Sequence, residues 1–471
     1  MSQYITAIDL GTCKVSAAVA MRSSSGIKVI GYVEKPSSGV IKGEVVNIKN
    51  LSNVLCPLID ELKNQVNTAP DEYPITIKNV YVSISGNSIK CCDQQVKTTR
   101  SEDAGLISAK EINELKERIL NEFNEPKKKI YHIIPQSYNV DDHIGCSEAE
   151  GMDGCEIEGF YKVFSGKSSL ENNTNNVISR CGLVTKALVF NPIATSKAIL
   201  SDEDKELGVA MVDIGGGTTN ILICKDHIIR HCAVLPFGGN LITKDIIATC
   251  SVAEKYAEKL KKQHGSCLGE ESAENRIVEV SSDNGDTKDI SLKSLNSTIE
   301  ARMSEIIMSV MHIIEQTGYA DKLGAGLVIT GGTANINHLK NLVRHLTDMP
   351  VRIAFPSSNQ VTSNSKKDIF KPGASTVVGL LLTAFEEGAS DEGFSDEGQS
   401  TGNFIEKDIW GHELNSDNPT NDLNGENRNT SGKKENEQEK GHKKNKFRKK
   451  GGIKEFVDSL FGNTKETDNE A

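Results

Sequence analysis

The chain has 471 residues, of which 37% are hydrophobic by a count that omits its 40 glycines, and the two together reach the range of a folded protein, which excludes wholesale disorder. Sixty-five acids against 54 bases leave a net charge of −11, with one Trp and 5% aromatics, an inventory that argues against a nucleic-acid coat or a base-stacking platform. No run approaches the roughly 18 apolar residues of a membrane span.

The chain opens on a strand, Tyr4 to Ile8, without the basic and apolar regions of a signal peptide. Ser2 excludes N-myristoylation. The strand ends in Asp9-Leu10-Gly11-Thr12, and a second strand follows from Val15 to Val19. A third strand at Ile27 to Val33, a loop from Pro36 to Gly43 and a helix from about Lys49 complete the unit. It recurs downstream. Ala210-Met211-Val212 leads into Asp213-Ile214-Gly215-Gly216-Gly217-Thr218, with strands at Ile221 to Cys224 and Ile228 to Leu235. The loop Pro236-Phe237-Gly238-Gly239 and a helix near Thr243 then close the second copy. Two copies of one supersecondary unit predict two similar lobes facing each other across a cleft.

Between the copies, Gly166-Lys167-Ser168 imitates a phosphate-binding P-loop. Tyr161 stands where that motif needs its first glycine, and the polar run Ser168 to Asn176 is expected not to be helical. His227 and His231 lie four apart in a β-branched strand context, which predicts structural histidines rather than a metal pair. The 11 cysteines show no C-x-x-C spacing and are scattered through apolar segments such as those around Cys13, Cys56, Cys181, Cys224 and Cys250. Buried, reduced thiols of a cytosolic protein are the expectation.

The two turns carry the chemistry. Phosphates need closely approaching backbone N–H groups, small residues that permit the approach, and hydroxyls as further donors. Gly11-Thr12 and Gly215-Gly216-Gly217-Thr218-Thr219 supply these from opposed hairpins. Asp9 and Asp213 end the preceding strands, where carboxylates can hold a hydrated Mg²⁺ through its waters. Lys14 adds a positive charge beside the first turn. A third glycine run, Ile329-Thr330-Gly331-Gly332-Thr333, follows a buried strand at Ala325 to Ile329 and can lie flat against a ribose or base.

From Gly388 the apolar content collapses into a linker-like composition, acidic first (Asp391 to Glu413) and basic later (Lys443, Lys444, Lys446, Arg448, Lys449, Lys450). Ile453, Phe456, Val457, Leu460 and Phe461 then fall at i, i+3, i+4, i+7 and i+8, one apolar helical stripe. At roughly 1.5 Å per residue that helix is too short to span a bilayer. It suits the interface, where the adjoining bases are drawn to anionic headgroups.

The segments Asp9-Leu10-Gly11-Thr12-Cys13-Lys14-Val15, Asp213 through Asn220, and Thr330-Gly331-Gly332-Thr333 resemble the first phosphate, second phosphate and adenosine motifs of the actin/Hsp70/sugar kinase superfamily. Within it the chain resembles the FtsA family of bacterial actin-like cell division proteins. Gly238-Gly239-Asn240-Leu241-Ile242-Thr243 leading to Ala257-Glu258-Lys259-Leu260-Lys261 is similar to that family's passage into the second lobe's small subdomain. Tyr131 to Asp142 with Gly151-Met152-Asp153-Gly154 is similar to its inserted subdomain, and Val377 to Leu382 to its closing helix. The actin-like pilus protein PilM shares the insertion, but the linker and terminal stripe argue against it. They argue equally against a soluble kinase or phosphatase of this fold.

The resemblance implies an actin-like two-lobed α/β ATPase fold. Its first lobe would comprise 1–85, 166–200 and 372–387, with an inserted subdomain at 86–165. The second lobe would comprise 201–245 and 323–371, with a small subdomain at 246–322; a disordered linker (388–450) and an amphipathic membrane-targeting helix (451–463) would follow. It implies ATP and Mg²⁺ as ligands. Asp9, Gly11, Thr12, Cys13, Lys14, Asp213, Gly215, Gly216, Gly217, Thr218, Thr219, Gly238, Gly239, Gly331, Gly332 and Thr333 would line the nucleotide, with Glu258 and Lys261 reaching the ribose or adenine. It further implies self-assembly into filaments, recruitment of later division proteins, and binding of the C-terminal peptide of FtsZ by the small subdomain, with Lys293 and Arg302 as exposed candidates. The protein would sit on the cytoplasmic face of the inner membrane at the septum. Two departures predict at most slow hydrolysis, with no catalytic residue to name. Asn220 stands where the family's second phosphate motif usually carries an acid, and Asn191-Pro192 where efficient hydrolases carry Glu or Gln.

Overall fold

The computed structural model describes residues 4–387, apart from 24–25, 68–74, 102, 270–275, 282–286, 358–360 and 366–367. The linker at 388–450 and the helix at 451–463, with its stripe of Ile453, Phe456, Val457, Leu460 and Phe461, lie outside the described residues. No helix among those described is long and apolar enough to cross a membrane.

The first lobe is built on β1 (Tyr4–Leu10), β2 (Lys14–Ser23) and β3 (Gly26–Pro36), an antiparallel meander. A small hairpin of β4 (Val40–Ile41) and β5 (Glu44–Val45) leads into α1 (Ile48–Val66) and β6 (Asn79–Ile84), which lies parallel to β1. Ala7 to Leu10 are buried without alternation, as expected of a strand covered on both faces. One cover is α1, whose Leu51, Leu55, Leu58, Ile59 and Leu62 form a helical stripe behind an Asn47 N-cap.

The inserted subdomain follows: β7 (Lys90–Thr99), α2 (Ala109–Glu122), β8 (Lys128–Val140), β9 (His143–Cys146) and β10 (Glu156–Lys167). Its sheet runs β7-β10-β8-β9, and α2, fixed by a Ser108/Glu111 capping box, closes a separate core around Leu115, Ile119, Tyr138 and Tyr161. Tyr161, the residue that breaks the P-loop pattern, is thus a core side chain.

The chain returns to the first lobe through α3 (Ser169–Arg180), β11 (Val184–Phe190) and α4 (Asn191–Ile199). The expectation that Ser168 to Asn176 avoids helix is corrected here. Leu170, Thr174, Val177 and Ile178 are buried on one face of α3, so tertiary packing supports a helix whose exposed face is polar and Asn-rich.

The second lobe repeats the first. After α5 (Asp202–Leu207) come β12 (Val209–Ile214), β13 (Thr219–Lys225) and β14 (Ile228–Leu235). Next come α6 (Gly239–Cys250), α7 (Glu254–His264), the hairpin β15 (Ile277–Ser281) and β16 (Thr287–Ser291), and α8 (Leu292–Gln316). β17 (Gly326–Thr330), parallel to β12, α9 (Leu339–Thr347) and β18 (Val351–Ile353) complete the sheet β14-β13-β12-β17-β18. β19 (Val361–Ser363) falls in the stretch assigned from sequence to the second lobe, yet it pairs with β3 at the edge of the first lobe's sheet. Finally α10 (Ser375–Glu387) packs on α4 so closely that a Cβ on Gly379 would overlap the Ala194 carbonyl.

Two further expectations are corrected. Cys56 on α1 and Cys181 just after α3 form a disulfide, with Cα atoms 4.9 Å apart, because packing brings together residues 125 apart in sequence; the other cysteines are free. His227 is not in a strand. With Asp226 it makes the β13–β14 turn, φ being 55° and 61°, the left-handed pair that suits a tight hairpin.

Candidate functional site

β1, β6 and β11 are parallel neighbours whose C-terminal ends share one edge, with Ile8 opposite Val82 and Phe190 opposite Ile84. Asp9 lies at that edge. Asp213 occupies the equivalent place in the second lobe, in register with Asn220 on β13 and Thr330 on β17. Both carboxylates are buried, at 7% and 8% exposure. The Ser83 hydroxyl donates to Asp9 Oδ1 at 2.8 Å and accepts from the Leu10 amide at 2.9 Å. The Asn220 amide donates to Asp213 Oδ2 at 3.2 Å, and Ser85 Oγ donates to Asn220 Oδ1 at 3.3 Å. Burial raises the pKa of Asp9 against the opposing pull of Ser83 and Lys14. It raises Asp213 to about 6, with the neighbouring Asp9 charge adding to the shift.

The two turns meet face to face. A Cβ on Gly216 would overlap Cys13 Sγ, and one on Gly217 would lie 2.5–2.8 Å from the Thr12 side chain. The Cys13 thiol donates to Asn240 Oδ1 at 3.0 Å, while Thr12 Oγ1 accepts from the Gly43 amide at 3.0 Å. Gly11 and Gly215 close their turns onto Lys14 and Thr218 carbonyls. The Thr12, Cys13, Gly216 and Gly217 amides donate to no backbone acceptor among the described residues. The Gly238-Gly239 loop is stitched to the second turn: the Gly239 and Asn240 amides donate to the Gly215 and Gly216 carbonyls, and Thr219 Oγ1 to the Phe237 carbonyl at 2.9 Å. Gly331, at φ 93°, lies against Asp213 and the Ile214 carbonyl with no room for a Cβ, and Thr333 Oγ1 donates to the Gly215 carbonyl at 2.9 Å. Gly332 follows in a 3-10 turn.

Glu258 and Lys261 are not a solvated pair. Lys261 is buried, with Nζ 2.6 Å from Glu258 Oε2, 2.7 Å from Thr243 Oγ1 and 3.1 Å from the Gly239 carbonyl. Burial alone would raise the Glu258 pKa, but Lys261 and Thr243 hold it below its ordinary value. Lys14 does not stand free beside the first turn. Its Nζ donates to Glu34 Oε2 at 2.8 Å and to the Tyr32 hydroxyl at 3.2 Å, and Lys371 joins Glu34 from the other side at 2.6 Å. Against burial, these partners bring Glu34 down to about 2.

The residues present fit a nucleotide polyphosphate with a hydrated divalent cation. Two buried carboxylates with raised pKa values, the Asp9 charge acting on Asp213, make a place where a neutralising cation is favourable. Asn191 Oδ1, at the start of α4 beside the β6 edge, is buried and finds no hydrogen-bond partner among the described residues, as an acceptor left for a ligand or its water would be. Among the described residues no group of three or more His, Cys, Asp or Glu could hold a metal ion directly, so these aspartates suit a cation that keeps its water shell.

Sequence reasoning missed Ser83, Ser85, Asn240, Thr243 and Glu34. For the serines the signal was Ser83-Ile84-Ser85-Gly86, alternate hydroxyls where a buried strand ends, while Asn240 and Thr243 lie in the Gly238-to-Thr243 segment quoted above without having been assigned to the site. Arg302, taken from sequence as exposed, is half-buried on α8 and paired with Asp245 and Glu305 at 2.5 Å; Lys293 is exposed.

A family model for the cell division protein FtsA matches residues 210–379, and one for the SHS2 domain inserted in FtsA matches residues 86–165. The chain is 30% identical over 397 residues to the cell division protein FtsA of Buchnera aphidicola subsp. Baizongia pistaciae, covering 80% of this chain and 90% of that one. It is 30% identical over 393 residues to FtsA of Neisseria meningitidis serogroup B, covering 81% and 90%. Against FtsA of Escherichia coli K12 the figures are 28% over 395 residues, 80% and 90%. Among solved structures, a PilM-PilN type IV pilus biogenesis complex aligns with TM-score 0.58 at 14% identity over 80% of this chain and 97% of that one, a likeness of fold. Identity sustained across nine-tenths of curated relatives reaches beyond the shared fold, and the chain belongs to the FtsA family of actin-like cell division proteins.

Proposed function

We propose that this division protein binds MgATP between its lobes, self-assembles, and tethers FtsZ filaments to the cytoplasmic face of the membrane, where it recruits later division proteins. The observation that carries the reading is the convergence of Asp9, Asp213 and three glycine runs where the two lobes' turns meet. The amides of Thr12, Cys13, Gly216 and Gly217, which donate to no backbone acceptor among the described residues, suit phosphate oxygens. Bound Mg²⁺ would supply charge neutralisation for the polyphosphate; Asp9 and Asp213 would hold its waters.

Turnover is slow in this reading. Asn191 is shorter than the Glu or Gln that positions an attacking water and is not a base, while Asn220 is committed to Asp213 and Ser85. The nucleotide then acts as a clamp between lobes. Asp213→Ala should weaken ATP binding in calorimetry, and unchanged affinity would remove the assignment. A steady-state rate of several per second would refute slow turnover.

The FtsZ peptide is assigned in this reading to the small subdomain, and one groove beside it supports that assignment. A groove of about 500 Å³ runs between α6 and α8, lined by Asp245, Thr249, Ser297, Thr298, Arg302 and Glu305. Membrane attachment is assigned to the terminal stripe, whose five apolar side chains make a weak, reversible anchor that gains avidity on a filament. Sedimentation of the full chain with anionic liposomes and ATP, with and without residues 451–471, tests this. Equal pelleting would transfer the anchor elsewhere.

A further inference from the structure

We propose that Ser85 and Asn220 form a positioning bridge across the lobe boundary, one that holds Asp213 in the orientation a cleft cation needs. The bridge rests on the MgATP reading above and adds to it two residues outside the set named there as lining the nucleotide.

The geometry starts on β6. Alternate residues of a strand face the same side, so Ser83 and Ser85 present their hydroxyls together. Because β6 lies parallel to β1, with Ile8 opposite Val82, Ser83 comes level with Asp9 and bonds it directly. Ser85 sits one step further, past the end of the strand, and reaches out of the first lobe altogether. Its hydroxyl meets Asn220 Oδ1 on β13 of the second lobe, 135 residues away, at 3.3 Å. Asn220 is the cross-strand partner of Asp213 and passes the contact on through its Nδ2 at 3.2 Å. Ser85 and Asn220 are buried, at 5% and 2% exposure, so water does not compete for these bonds.

An amide is the side chain this link requires. It accepts from the Ser85 hydroxyl and donates to the Asp213 carboxylate at the same time. An aspartate at 220 could accept from Ser85 but could not donate to Asp213. The departure from the family's acidic residue at this position therefore has a geometric use in this chain: one β6 strand orients both cleft aspartates, the first directly and the second through Asn220.

The test is ATP binding to the full-length protein by calorimetry, with excess Mg²⁺ and separately in EDTA, with melting temperature read alongside. A lost positioning bond should reduce the gain in affinity that Mg²⁺ confers by about tenfold, the worth of a hydrogen bond to a charged group or slightly less. Ser85→Ala and Asn220→Ala should each show that reduction with ATP affinity in EDTA unchanged, and Ser85→Thr should restore the Mg²⁺ gain. The double variant should lose no more than Asn220→Ala alone, since both remove one bridge. A folded Ser85→Ala protein with the wild-type Mg²⁺ gain overturns the proposal, as do losses that add in the double variant. If the wild-type protein binds no ATP under either condition, the cleft assignment itself fails and takes the bridge with it.

Discussion

The two copies of the strand–turn–strand unit share a backbone and divide the chemistry. In register, Asp9, Ser16 and Glu34 of the first correspond to Asp213, Asn220 and Val234 of the second. At the turns the first copy presents Thr12 and Cys13, the second Gly216 and Gly217, and each side chain occupies the space a Cβ would need opposite. The supports differ too. Asp9 takes its bond from Ser83 on the next strand, whereas Asp213 takes it from its cross-strand neighbour. The third strands have parted further. β3 uses Tyr32 and Glu34 to hold Lys14 within its lobe, while β14 turns outward to the inserted subdomain, where Gln136 Nε2 donates to the Ile229 carbonyl at 2.9 Å and Arg230 to the Gln136 carbonyl at 3.3 Å. A duplicated unit thus keeps its fold while one copy supplies side chains and the other supplies room.

The sharpest way to break this complementarity is Gly217→Ala. The β-branched Thr12 opposite has little freedom to withdraw, and overpacking of this kind costs about 1–3 kcal/mol. We expect ATP affinity to fall by up to about a hundredfold, with the melting temperature, but not the affinity, recovering in the Gly217→Ala/Thr12→Gly pair. Wild-type affinity in the single variant would show that the turns do not oppose each other in solution.

The divergence of the third strands predicts a pH effect. His231, at the register of Gly31 in the first copy, is held down to about 4 by burial, with Lys162 adding to the shift and Asp93 opposing it. An unfolded histidine protonates near 6.5. Between those values the unfolded chain binds more protons, so stability is lost as pH falls through that window, by about 2 kcal/mol at pH 5 from this residue. Melting of His231→Gln should therefore decline less steeply than wild type between pH 7 and 5. Parallel curves would remove His231 as a cause.

The smallest effect is expected at the contact between β14 and the inserted subdomain. Gln136→Ala removes its bond to Ile229 and should cost about 1 kcal/mol, read as faster amide exchange in β14 and β8 with β2 and β3 unaffected. Equal change in both copies would mean that the third strands are not separately anchored.

Much of this was legible because it is local. The Asp–Gly–Thr turns, the repeated strand spacing and the closing helix at Val377 to Leu382 each depend on residues within a few positions of one another, where strand periodicity and turn chemistry act directly. Helix α3 was not legible: four buried positions in a run rich in Ser and Asn give a weak local preference that only packing against α1 and β11 converts into structure.

The sequence alone determined the two-lobed plan, the placement of both aspartates at strand ends and the small residues around them, because each follows from short-range stereochemistry. Tertiary structure alone decided that Ser83 serves Asp9, that Ser85 crosses to Asn220, that Cys56 meets Cys181 and that β19 joins the first lobe's sheet. These contacts join residues tens to hundreds of positions apart. Which strand lies beside which is set by burying the whole core at once, and no spacing along the chain encodes it.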